Sequence, residues 1–219
     1  MGIEGIEFAT DVTAGVLSDT TRDINHVLNA EQYTDTYGSE RSDLTGESAG
    51  DYGAYISDDF IGDLANIEQL DSVLDNFRDS RWSDLSLEGK KLSITELADF
   101  VAEDTGTDNP PNIVFRDDMP DGSYGGYSAD TNTIEINENM LDDSAEAADT
   151  IAHEMWHAFQ HQEAQDPTSE KGPEYLEGFD NYISPEYDFE AYENQMVEAE
   201  ARDYAQGFKD RLSNLKGAA

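Results

Sequence analysis

His153-Glu154-Met155-Trp156-His157 places two imidazoles four residues apart, with a carboxylate directly after the first. On an α-helix such positions lie one turn apart on the same face, so both rings can converge on one Zn²⁺ at about 2.0–2.1 Å. An ion held in this way brings the pKa of its water ligand to about 7, and Glu154 is placed to take that proton and later deliver it. Ile151, Met155 and Phe159 recur at intervals of four and are displaced from the histidine pair by about 200° around the helix. One face can therefore bind metal while the other is anchored in a core.

A catalytic zinc site has three protein ligands and one open position. His161 is four residues further on, but it stands about 12 Å along a straight helix from His153, too far to share an ion. The longer HExxHxxGxxH pattern also fails, with Gln160 at the glycine position and Glu163 at the third histidine. The third ligand is thus expected from a later helix, read over about Glu186 to Leu215, which offers Glu198 and Glu200. Both flank the apolar stripe of Val197, Ala201, Tyr204, Phe208 and Leu212, so periodicity leaves both open. A developing oxyanion needs a further stabiliser; Tyr187 is assigned that role, with Tyr182 and Tyr192 as alternatives upstream of the helix.

The elements that must position these groups can be read from pattern. The motif helix is expected from about Asp143 to Asp166, with Asp143 and Glu146 as a capping-box pair and Pro167 as the stop. Before it, Asn112–Arg116 reads as a short strand and Tyr124–Asn137 as a hairpin turning at Asp130-Thr131-Asn132, with Ile134 and Ile136 on one face. Gly125 and Gly126 would permit close backbone approach on the hairpin arm, whose edge can pair with an extended peptide. Further upstream, Phe60–Phe77 carries a helical stripe, and Ser93–Thr105 reads as a helix capped by Ser93 with Glu96 and ended by Gly106. Residues 1–58 form an acidic, polar extension with one short helical pattern at Ile24, Val27 and Leu28; 59–108 form a helical segment, and 109–219 the domain that carries the motif.

Composition limits what else the chain can be. Its 219 residues include 12 Lys plus Arg against 50 Asp plus Glu, a formal charge of −38. Nucleic acid and anionic membrane surfaces are excluded as partners, because phosphate binding needs a basic patch and no stretch approaches the roughly 18 apolar residues of a membrane span. With no Cys, a metal must be held by His and carboxylates. At molar salt the Debye length shrinks to about 3 Å and self-repulsion largely disappears. The composition resembles that of proteins from salt-accumulating halophilic microbes or their viruses, which implies a high-salt cytoplasm or a virion. The opening Met1-Gly-Ile-Glu has neither a basic region nor a long apolar run, so no export signal is expected. A calcium-binding reading of the carboxylates lacks an EF-hand loop.

The string IAHEMWHAFQ, followed 41 residues after His157 by Glu198-Ala-Glu-Ala-Arg, resembles the gluzincin metallopeptidases, and the GGYSADTNTIEIN hairpin before it resembles small minigluzincin-like domains. The likeness covers about residues 109–208. It implies an α+β, zincin-like fold: a small sheet with an edge hairpin packed on the HExxH helix, and a second long helix carrying the third ligand. It also implies a zinc-dependent endopeptidase acting on peptide or protein substrates, with His153, His157 and Glu198 on Zn²⁺, Glu200 in a supporting place and Glu154 as general base. Many gluzincins carry Asp four residues after the ligand Glu to hold a zinc-bound histidine. Arg202 stands there instead, so either Asp203 or another carboxylate orients His153. The competing reading is a virion-associated or interaction protein with a structural or inactive zinc site; a purely structural site would need its ligands but not Glu154.

Overall fold

Oxygen caps and apolar periodicity together set where the helices start. In the computed structural model, which describes residues 67–120, 122–185 and 187–217, the chain is α+β. Helices α1 (Ile67–Leu74), α2 (Asp79–Trp82) and α3 (Leu87–Thr105) come first, with a 3-10 turn at Asp75–Phe77. Strands β1 (Asn112–Arg116), β2 (Gly125–Ser128) and β3 (Thr133–Asn137) follow, then α4 (Ser144–Gln165), α5 (Gly172–Asp180), α6 (Phe189–Glu193) and α7 (Met196–Gly217).

Helix α4 starts as its sequence predicts: Asp143 Oδ1 accepts from the N–H groups of Ala145 (2.8 Å) and Glu146 (3.2 Å). The Glu146 side chain pairs with Lys209 on α7 at 3.0 Å. The start of α3 differs from expectation. Ser86 is the cap, accepting from Gly89 N–H, while Ser93 lies buried within the helix and donates its hydroxyl to the Gly89 carbonyl four residues back. A serine inside a helix satisfies itself in this way, so a capping-box pattern alone does not mark an N-terminus. Gly106 ends α3 in the left-handed region at φ 71°. The segment expected as one helix from Glu186 divides into α6 and α7, because Asp188 caps a short helix of its own and the chain turns at Asn194. Helix α5 was not expected; Pro173 in its first turn and the buried Tyr175 define it. Of the stripe expected over Phe60–Phe77, α1 and the 3-10 turn carry the part from Ile67 onward, and residues 60–66, the pattern near Ile24 and the boundary at residue 58 lie outside the described residues.

The three strands form one mixed sheet in the order β1-β3-β2, with β1 parallel to β3 (Val114 opposite Glu135) and β2 antiparallel to it (Gly126 opposite Glu135). The β2–β3 turn is held by Asn132 at φ 46°, a left-handed conformation that asparagine tolerates, and its side-chain amide donates to the Asn109 carbonyl at 3.0 Å. Ile134 and Ile136 turn to the same side and enter a hydrophobic core with Ile94 and Leu97 of α3, Ile151 and Met155 of α4, and Tyr204 and Phe208 of α7. Trp156, on the motif helix, is core rather than pocket: its ring stacks on Tyr204 with centroids 4.4 Å apart.

The two glycines of β2 are not equivalent. A Cβ on Gly125 would stand 2.8 Å from Thr150 Cγ2 on α4 and 2.9 Å from the Glu135 carbonyl oxygen, whereas one on Gly126 would meet nothing within 4 Å. Gly125 alone lets β2 lie close on the motif helix. Gly125→Ala is expected to destabilise the protein by about 1–3 kcal/mol, and Gly126→Ala to change stability by less than about 0.5 kcal/mol, as measured by denaturant unfolding at fixed salt.

Candidate metal centre

Position on the helix face brings His153 and His157 together, and α7 delivers the third group. His153 Nε2 and His157 Nε2 lie 3.1 Å apart. Glu198 places Oε2 at 3.5 Å from the first and Oε1 at 3.5 Å from the second. Ligands at about 2.0–2.1 Å around a tetrahedral ion stand about 3.3 Å from one another. The three side chains therefore fit a single cation. Glu198 is 2% exposed, and its Oε2 is buried without a hydrogen-bond partner, an acceptor that a cation would satisfy. Among the described residues, these three form a buried His-His-Glu group able to hold a metal ion.

The tautomer of His157 follows from its neighbours. Gln160, fully buried, donates its amide N–H to the Val197 carbonyl on α7 at 3.0 Å, which fixes the amide's orientation. Its Oε1 must then accept from His157 Nδ1 at 2.9 Å, so the neutral ring turns the lone pair of Nε2 toward the ligand group. The same amide joins α4 to α7 one residue before Glu198. Sequence analysis placed Gln160 only as a residue breaking another pattern. The signal was its spacing of three from His157, which puts the two side chains side by side on a helix.

Electrostatics agree with this geometry. Burial works to raise Glu198, but the two imidazoles outweigh it and hold the carboxyl well below its ordinary range. Burial likewise disfavours charge on His157, yet the Glu198 carboxylate raises the imidazole to about 9. Glu154, 5% exposed, is pushed up by burial and feels both imidazoles and Glu198. The backbone N–H of Tyr127 works the other way and favours its charged form. That N–H is available because Asn137 N–H donates to the Tyr124 carbonyl, so the alternation of an antiparallel ladder turns the N–H groups of Gly125 and Tyr127 away from β3. Glu154 is thereby tied to the outer edge of β2.

Other residues singled out by sequence take different places. Glu200 faces α5, where it accepts from Lys171 Nζ (2.7 Å) and Tyr175 OH (2.8 Å), so the two acidic residues of the α7 first turn divide into a ligand candidate and a structural tie. Tyr187, expected as oxyanion stabiliser, is 81% exposed in the turn before α6, while Tyr182, one of the alternatives, donates its hydroxyl to Glu198 Oε1 at 2.6 Å. Tyr192 is buried and packs edge-on to Tyr182. Asp203 is exposed and Arg202 donates to the Glu193 carbonyl at the end of α6. A carboxylate coupled electrostatically to His153 is Asp149, one turn earlier on α4. His161 lies outside the ligand group, stacked on Phe179 with centroids 3.7 Å apart and tilted against Tyr127.

No family model, curated protein or solved structure matches the chain.

Gln160→Leu removes the acceptor that sets the His157 tautomer, and zinc affinity measured against a competing chelator is expected to fall about 10–100-fold. A second expectation concerns His161, whose burial lowers its pKa to about 3. The unfolded chain protonates this imidazole near pH 6.5 and the folded chain does not, so its contribution is present above about pH 6.5 and is lost as pH falls toward 3. Between pH 7 and pH 5 the wild type should lose at most about 2 kcal/mol more than His161→Phe, read by urea unfolding at constant salt.

Proposed function

We propose that this protein is a zinc-dependent endopeptidase of the gluzincin type, with His153, His157 and Glu198 as ligands and Glu154 as general base. The observation that carries the reading is a His-His-Glu group with a second, non-ligand carboxylate, Glu154, buried beside it. A site that served structure alone would gain nothing from burying that second carboxylate, since a buried charge is costly. Zn²⁺ bound there supplies Lewis acidity, polarising a carbonyl and acidifying water.

The chain's own residues account for the remaining needs. Glu154, raised above the usual carboxylate range by burial, accepts a proton from the attacking water as its oxygen bonds the scissile carbonyl carbon. When the C–N bond breaks, Glu154 returns that proton to the leaving amine. The Tyr127 backbone favours the charged carboxylate, and Gln160, accepting from Nδ1–H, leaves Nε2 as the ligand nitrogen of the neutral His157 ring. Among the described residues β2 is an edge strand, and its outward backbone groups other than the Tyr127 N–H suit an extended peptide laid alongside as an added strand. An unstructured polypeptide is the substrate class this favours. No helix among the described residues is long and apolar enough to cross a membrane.

Full-length protein in molar salt, loaded with zinc, is expected to cleave an unfolded protein substrate, and chelation is expected to abolish cleavage. Glu154→Gln should retain stoichiometric zinc while losing at least about 100-fold in rate. Zinc-loaded wild type that cleaves no more than Glu154→Gln would refute the reading and favour a structural metal site.

A further inference from the structure

The segment between α5 and α6 is fastened to the root of α7 by one side chain. Gln195 Oε1 accepts from the Ile183 N–H at 2.6 Å, and its Nε2 donates back to the Ile183 carbonyl at 2.9 Å. The Gln195 backbone carbonyl accepts from Ala199 N–H at 2.9 Å, so the residue that grips Ile183 also opens the first turn of α7, where Glu198 lies. Two bonds to one residue fix the position of its neighbour. That neighbour is Tyr182, whose ring packs on Tyr192 and whose hydroxyl donates to Glu198 Oε1 at 2.6 Å.

The two oxygens of Glu198 thus have different environments. Oε1 accepts a short phenol hydrogen bond, and Oε2 has no hydrogen-bond partner. A carboxylate with one oxygen engaged by a phenol offers the other to a cation. With the phenol removed, both oxygens can approach, and the coordination number rises by one.

We propose that Tyr182 is a positioning residue that makes Glu198 a single-oxygen metal ligand, and that the Gln195–Ile183 staple holds it there, so that metal affinity and coordination are set partly from outside the ligand group. The inference rests on the metal-binding part of the reading above and not on peptide cleavage. It gives Tyr182 a task distinct from contact with substrate. It also explains why the loop is fastened at Ile183, immediately next to the ring that matters.

The test uses full-length chain at molar salt and reads metal rather than turnover. Zn²⁺ affinity comes from competition with a chromophoric chelator. Coordination number comes from the visible absorption of Co²⁺, which weakens as four-coordinate sites become five-coordinate. Tyr182→Phe, which keeps the ring, is expected to weaken Zn²⁺ binding about 10–100-fold and to lower the Co²⁺ absorption. Gln195→Ala should move both readouts in the same direction. Combined with Tyr182→Phe, it should add less than its separate effect, because both act through one hydrogen bond. If Gln195→Ala fails to fold, Gln195→Glu, which keeps the acceptor for the Ile183 N–H, replaces it. Tyr187→Phe serves as the exposed control and should match wild type. Wild-type affinity and an unchanged Co²⁺ spectrum in Tyr182→Phe overturn the proposal alone, as does full additivity for its staple. A wild-type protein that takes up no metal overturns both this proposal and the metal reading beneath it.

Discussion

A carboxylate that is 2% exposed must be compensated, and the arrangement around Glu198 is organised by that requirement. Its partners come from separate parts of the chain: two imidazoles from α4 and a phenol from the segment after α5. The imidazole contacts form only where α4 and α7 lie side by side. The apolar faces that bring the helices together, with Trp156 stacked on Tyr204, therefore also assemble the polar group. Gln160 joins the two levels, because its amide is at once a helix-to-helix tie and the group that sets the tautomer of neutral His157.

Glu154 is held from the opposite side. Its partner is a backbone N–H of β2, and β2 reaches the motif helix only because position 125 has no side chain. The sheet thus contributes to the site through backbone position rather than through its own side chains. Because Glu154 shares α4 with His153 and His157, the packing of β2 on that helix bears on the whole polar group.

Much of this was legible in the chain. The motif helix, its Asp143 cap and the hairpin at Asn132 follow from periodicity and turn chemistry, which are local properties. The third member of the candidate metal group was legible as a pair of choices, because Glu198 and Glu200 sit on either flank of one apolar stripe and only the partner surfaces separate them. Lys171 and Tyr175 draw Glu200 away, and both belong to a region in which no helix was expected. The contact of Tyr182 was not legible for a similar reason: starting one long helix at Glu186 hides the turn before α6 that exposes Tyr187 and the loop that brings the Tyr182 hydroxyl to Glu198. Ser93 shows the limit of a local motif, since its hydroxyl satisfies the preceding turn instead of starting a new one.

The scarce cations have a use that the net charge of −38 conceals. Of the 12 Lys and Arg, Arg22 and Arg41 lie outside the described residues. Of the rest, Arg211 grips Asp71 across 140 residues through two bonds of 2.6 Å, Lys209 joins α7 to α4, and Lys171 joins α5 to α7. Arg202 closes a carbonyl at the end of α6. Arg78 reaches the Leu215 carbonyl near the end of α7. These five positive charges thus serve as joints involving helices, while Arg81 and Arg116 make more exposed pairs with Asp75 and with Asp118 and Glu135. Amine-directed reagents would consequently meet side chains already engaged in holding the scaffold, and covalent attachment to a resin or dye through lysine would act on the framework itself rather than on an idle exterior.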